Sequence, residues 1–448
     1  MNATHAVGQP APSTTSSTRR VNFLDGLRGV AALYVVVAHA LSISLPETAS
    51  AARGVFSTGT GLDRALYVAL DSSIVFSRYG VVLFIVISGC SLMLPVARSA
   101  EGRLPGGFRT YVKRRAQRIL PPYYAALGIS LALIAVVPDM GRRVIPWWDG
   151  ALPAFEPDVI LSHVLLIHNW SPEWAYRINP PLWTIPIEWQ IYFLFPLVLL
   201  PVLQRLGSLA LIAVTFSTGL GLYVLVGPEQ LVQSAPWFIG LFGLGMVAAS
   251  VGFSDRQSHR LRSLPIATLI GVSLAIFVVA ALLLRMAGVD YTLAGWLTDV
   301  IFGVASALFI VHCARGVQQA RGSSLALRAL ERRPVVVLGW FSYSLYLMHA
   351  PILMLLALSI RELDLPAWLY VPTVLLGVLL ALIGTYVFHL LFERPFMPRH
   401  LRDATGNPSD HHPGPVDRFR SINSEGVAAP IVRTYGVGAS PEVDDRRA

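Results

Sequence analysis

The chain is short of charge, nearly empty of lysine and almost free of cysteine. Only 14% of its 448 residues are charged, against 54% hydrophobic, whereas a soluble globular domain carries about 25% charged residues. With a mean hydropathy of +0.58, this excludes a soluble protein and leaves an integral membrane one. The two cysteines, Cys90 and Cys313, lie in apolar runs, so neither a disulfide framework nor a zinc site is expected. Lys113 is the single lysine, and arginine carries almost all of the net charge of +9. In a membrane protein such an excess reports orientation before nucleic-acid binding. The sequence also lacks a glycine-rich phosphate loop, a GxSxG elbow and metal-ligand spacing, so no metal and no permanently bound cofactor are expected.

What the sequence does have is apolar length. Runs long enough to cross a hydrocarbon core of about 30 Å fall near 28–45, 79–97, 120–138, 181–203, 207–227, 235–252, 264–287, 295–315, 335–358 and 367–391. The expected fold is an all-α bundle of about ten transmembrane helices. Residues 1–20, rich in Ser, Thr, Ala and Pro, and the polar stretch 403–448 read as disordered tails around a transmembrane domain at 21–396. DVILSHVLLIH, 158–168, is too short to cross and belongs in or near an interface. One alternating set of loops holds 22 of the arginines and the lysine, the other only 8, with the distal tail omitted. Cytoplasmic loops are the cation-rich ones, so both termini are predicted cytoplasmic. Arg19-Arg20, a short apolar run and Ala38-His39-Ala40 mimic a cleavable secretory signal, but Asp25 and Arg28 interrupt it.

Ionisable residues inside apolar runs are costly and usually face a bundle interior or a water-filled cavity. In LDGLRGVAALYVVVAHA, Arg28 and His39 stand eleven residues apart, about three helical turns and 16 Å, on one face. Arg28 at the cytoplasmic edge puts His39 near mid-membrane. Glu188, in LWTIPIEWQIYFLFP, has a similar depth by these boundaries. A carboxylate beside an imidazole raises its basicity, so the two suggest a general base and its orienter. A structural ion pair, or an imidazole bonded between helices, is the bland alternative. Lys113, Arg114, Arg115 and Arg118 crowd the approach to the third run; they suit lipid head groups or, since Arg115 and Arg118 share a face, a phosphate clamp. Tyr346 and His349, three residues apart in SYSLYLMHAPIL, either pack between helices or line an acceptor cavity. His163, His168 and several tryptophans of the loop 139–180 suit an interfacial belt or stacking on a flat substrate.

These stretches resemble the acyltransferase-3 family of bacterial membrane acyltransferases. The resemblance runs from about 23 to 396 and rests on LDGLRGVAALYVVVAHA, RRAQR, LWTIPIEWQIYFLFP, SYSLYLMHAPIL and FERPF, in the family's order. It implies a multi-pass protein of the bacterial cytoplasmic (inner) membrane that moves an acyl group, commonly from acyl-coenzyme A as co-substrate, to a hydroxyl of a sugar, glycan, cell-envelope component or secondary metabolite, as in carbohydrate O-acetylation. By position it implies His39 as the essential histidine, Arg28 as its partner, Arg115 and Arg118 as the loop arginine pair and Glu188 as the carboxylate of the fourth run. Joined to the reading of the residues, this makes His39 and Glu188 the expected catalytic groups, Arg28, Arg114, Arg115 and Arg118 the expected donor-binding ones, and Tyr346 and His349 the expected acceptor-binding ones. The sequence departs from the family in reading IEWQ where many members have two adjacent carboxylates, and MH where Trp often precedes the histidine. No hydrolase-like domain follows the last run, so direct transfer near the membrane is expected. The rival reading is a proton-coupled or anion transporter using the same His and Glu, although the halves show no repeat relation.

Overall fold

The computed structural model describes residues 21–43, 76–99, 101–145, 147–227, 233–253, 265–288, 291–319, 324–363 and 369–397. Both predicted tails lie outside the described residues. Within them the chain is helical, with no strand. The longer helices are α1 (Asn22–Ile43), α2 (Arg78–Ala97), α3 (Gly107–Val136), α4 (Pro157–Val164), α5 (Ile185–Leu194), α6 (Leu200–Val226), α7 (Phe238–Phe253), α8 (Ile266–Met286), α9 (Tyr291–Gln319), α10 (Arg333–Trp340), α11 (Ser342–Ile360) and α12 (Tyr370–Phe388).

Among the described residues, eight helical stretches are long and apolar enough to cross a membrane. One of them, Pro180–Val226, has 47 residues and breaks its helical geometry at Gly207, where φ is 86° and ψ is 177°. Glycine alone takes that conformation without strain. α7, at 16 residues, is shorter than the eight, yet it is buried on nearly every side. The predicted ninth run, 335–358, is two elements: α10 and α11 part at Phe341.

Small residues set the packing. Gly89 on α2 faces the Phe242 carbonyl, and Gly245 on α7 faces the Val86 carbonyl, so a Cβ at either would strike backbone. Gly26 and Gly29 on α1 meet Leu330 and α10 in the same way, and Gly339 answers against Asp25. Between helices in lipid there is little hydrophobic drive, so close backbone approach supplies the attraction. α1, α2 and α7 thereby form the centre. α8 lies at the periphery with Val272, Ile276, Val279 and Leu283 exposed, as a lipid-facing helix requires.

The stretch before α5 folds inward. Pro180, Pro181, Leu182, Trp183 and Thr184 form a buried 3-10 turn. Asn179 fixes it by donating from Nδ2 to Ser130 Oγ at 3.2 Å and to the Leu347 carbonyl at 2.9 Å. Pro186 then sits in the first turn of α5, where its missing N–H costs no hydrogen bond.

Candidate active site

Two cavities meet inside the bundle. The first, of about 90 Å³, is lined by Arg28 of α1, Ser88 of α2, Arg115 and Arg118 of α3, Glu188 and Tyr192 of α5, and Tyr343 and Tyr346 of α11. Arg28 is pinned by donating to Ser91 Oγ at 2.7 Å and, more weakly, to Asp25 Oδ1 at 3.4 Å. Glu188 accepts from the Tyr192 hydroxyl at 2.6 Å, one turn further along its helix. Tyr111 donates to the Tyr192 carbonyl at 3.0 Å and Tyr343 to the Ile119 carbonyl at 3.1 Å, which ties α3 to α5 and α11. Arg115 faces the Tyr111 ring, and its buried Nε has no hydrogen-bond partner among the described residues. A buried donor beside two further guanidiniums is an arrangement able to bind an anion through charge-assisted hydrogen bonds. Arg114 does not join them: like Lys113, it is exposed.

The second cavity, of about 410 Å³, is lined by His39, Arg78, Trp147, Tyr176, Trp183 and Tyr346, with Val35, Val81 and the two prolines completing the wall. His39 Nδ1 lies 2.8 Å from Nε2 of His349. His349 Nδ1 lies 2.9 Å from the Leu345 carbonyl. A carbonyl only accepts, so His349 carries its proton on Nδ1 and accepts through Nε2. His39 therefore donates from Nδ1, and its own Nε2 is left unprotonated, the form a general base needs. The Trp147 ring lies against that imidazole, with centroids 4.9 Å apart.

Arg78 is also a cation, but a satisfied one. Its NH2 and Nε reach Asp299 Oδ2 at 3.0 and 3.2 Å, and Trp237 Nε1 donates to the same oxygen at 2.9 Å. The guanidinium sits among the rings of Trp183, Trp237 and Phe238, 5.7 to 5.9 Å from each. Neither Arg78 nor Asp299 is among the candidate residues named from the sequence. The signal was there, since Asp299 is a carboxylate inside an apolar run.

The residues expected to act together are thus divided. Arg28, Arg115, Arg118 and Glu188 share the arginine cavity, His39 and His349 belong to the histidine cavity, and Tyr346 touches both. His39 and Glu188 are not partners: the imidazole's partner is His349 and the carboxylate's is Tyr192. The first residues of the run that carries Glu188 lie in the buried 3-10 turn before α5. Thr184 is already beside Tyr346, and Glu188 is one turn beyond it. Of the aromatics in the loop 139–180, Trp147 lines the histidine cavity, whereas Trp170 is exposed. His163 and His168 stack on each other with centroids 3.9 Å apart, outside both cavities. The FERPF stretch supplies a buried brace: Glu393 Oε2 accepts from Ser344 Oγ at 2.6 Å and pairs with His389 Nδ1 at 2.8 Å. Among the described residues no group of three or more His, Cys, Asp or Glu side chains is arranged to hold a metal ion.

A family model described as an acyltransferase domain, that of acyltransferase-3, matches residues 21–390. The chain belongs to the acyltransferase-3 family. Every cavity-lining residue named above falls inside that acyltransferase-3 match, and Glu393 falls just beyond it. The O-acetyltransferase OatA of Staphylococcus aureus, in strains NCTC 8325 and COL, is 24% identical over 335 residues, covering 67% of this chain and 50% of the relative. The chain spans about half the length of the curated relatives it matches. No solved structure matches it.

Proposed function

We propose that this protein is an integral membrane O-acyltransferase that takes an acyl group from acyl-coenzyme A on the cytoplasmic side and gives it to an acceptor hydroxyl in the histidine cavity. The observation that carries the reading is the meeting of the two cavities: one walled by cations with an unfilled donor on Arg115, the other holding a histidine poised in its basic tautomer.

The topology supports it. A helix of 47 residues would be about 70 Å long, twice a bilayer, so the break at Gly207 divides it into two passes. Eight stretches then give nine, and α7 makes ten. An even number puts both termini on one side, and the arginine-rich loops make that side cytoplasmic. A bacterial inner membrane is the setting we assign.

Arg28, Arg115 and Arg118 hold the donor's phosphates as charge-assisted partners, while Glu188, fixed by Tyr192, balances and spaces the cations. The distance of about 16 Å from Arg28 to His39 matches an extended pantetheine arm and exceeds a compact acyl phosphate. His39 Nε2 removes the acceptor's proton as its oxygen attacks the thioester carbonyl. The C–S bond then breaks, and the departing thiolate takes the proton from the His39 imidazolium. His349 steadies the imidazolium through the Nδ1–H bond. Trp147, Tyr176 and Trp183 offer flat faces suited to a sugar ring, so we assign a carbohydrate or glycan hydroxyl as the acceptor class.

Incubation of the purified protein in detergent with labelled acetyl-coenzyme A and candidate glycans tests the reading. Loss of thioester matched by acylated acceptor supports it. Gradient-dependent movement in vesicles without any thioester loss would replace it with transport.

A further inference from the structure

Val81 and Tyr346 are the two residues that line both cavities. Val81 is a fixed wall, buried on α2. Tyr346 is held by one contact that can be released: its hydroxyl shares a 3.0 Å hydrogen bond with Thr184 Oγ1. Thr184 lines the arginine cavity and its neighbour Trp183 lines the histidine cavity, so this bond crosses the boundary between them. The ring is flanked by Phe84 and by His349, each 6.1 Å away between centroids.

We infer that Tyr346, latched to Thr184, is a partition that keeps the two cavities separate until an acyl chain displaces it, and so favours transfer over hydrolysis. The chemical reason is the base. An imidazole able to deprotonate an acceptor hydroxyl also deprotonates water, and water attack on the thioester carbonyl would release free acid and thiol. Sealing the passage around a narrow acyl chain keeps water from the histidine cavity off the waiting thioester. Tyr346 lies three residues before His349, on the same helix face, so a ring displaced by the acyl chain moves beside the group that orients His39. Tyr346 is in this sense a positioning residue. The consequence for catalysis rests on the acyl-transfer reading, while the partition itself rests on cavity geometry alone.

The test therefore has two arms. In the first, Ser88, on the arginine cavity wall, is replaced by cysteine in the full chain, and a charged, membrane-impermeant methanethiosulfonate is applied to oriented vesicles from either face, with the parent protein as baseline for Cys90 and Cys313. S88C is expected to label from one face only, and S88C combined with Y346A from both. Y346F and T184V each remove the latch but keep most of the bulk. Each should raise far-face labelling about fivefold, the change expected for one lost neutral hydrogen bond. Labelling of S88C from both faces with Tyr346 intact would overturn the partition, as would one-face labelling in folded Y346A or no change in the two latch variants. In the second arm, Y346A should raise acceptor-independent thioester hydrolysis relative to transfer. An unchanged ratio overturns the proposed advantage. Two-face labelling confined to the Tyr346→Ala variant, together with a parent protein that shows no turnover, would leave the partition standing and remove acyl transfer instead.

Discussion

The arginine and histidine cavities hold their charges in opposite ways. In the histidine cavity Arg78 is closed off: Asp299 takes it bidentately, Trp237 caps the carboxylate and three rings surround the guanidinium. In the arginine cavity three guanidiniums face one carboxylate, and Arg115 keeps a buried donor unfilled. A closed ion pair holds helices together, because breaking it strands a charge in low dielectric. Open cations do little for the fold and are free to meet an anion. Under the proposed function the contrast separates a structural arginine from donor-binding ones within one protein, and leaves the chemistry to the imidazole rather than to either set of cations.

The first way to break that comparison is at His39. His39→Ala should lower transfer about 10²- to 10⁴-fold, the range of a lost general base, with membrane insertion and melting temperature unchanged; substantial residual transfer would take His39 out of the reaction. Arg78→Ala should act on the fold instead. Stranding Asp299 costs about 3–5 kcal/mol, to be seen as loss of folded protein or a lower melting temperature, and an intact melt would make the pair dispensable. Arg115→Ala and Arg118→Ala should leave the melt alone and raise the donor KM about ten- to hundredfold each, as expected for one charge-assisted contact of about 1.5–3 kcal/mol. If instead they lowered kcat at saturating donor, the arginines would belong to the chemistry.

The smallest effect lies outside both cavities. Burial holds His163 down at about 4, and His168, stacked on it, is held low as well. The unfolded chain binds these protons near pH 6.5, so the neutral forms stabilise the fold above that value. The contribution falls as pH drops from about 6.5 toward 4. Melting temperature should therefore decline across that window, and His163→Gln should flatten the decline; an equally steep profile in the variant would place the sensitivity elsewhere.

Much of the helical pattern and the pairing of Arg115 with Arg118 were legible because each follows from periodicity along one segment. The pairing of His39 was not. His39 and His349 are 310 residues apart, and no local pattern says which buried polar group will face which. The same holds for Glu188: its partner is Tyr192, one turn along its own helix, and apolar run boundaries say nothing about which side chains of other helices share its cavity. Arg114 was grouped with Arg115 and Arg118 because four neighbouring cations look alike in sequence, while the fold leaves Arg114 exposed and takes the other two into the cavity wall. Gly89 and Gly245 were invisible as packing residues, since a glycine's role at a helix crossing depends on the partner's backbone.

The central claim, that donor holding and base catalysis are separate tasks in separate cavities, is tested most directly by coenzyme A binding to the purified wild-type protein, His39→Ala and Arg115→Ala at one salt concentration. The account predicts that His39→Ala binds as tightly as the wild type while transferring nothing, and that Arg115→Ala loses at least about tenfold in affinity. Equal loss of binding in both variants would contradict it.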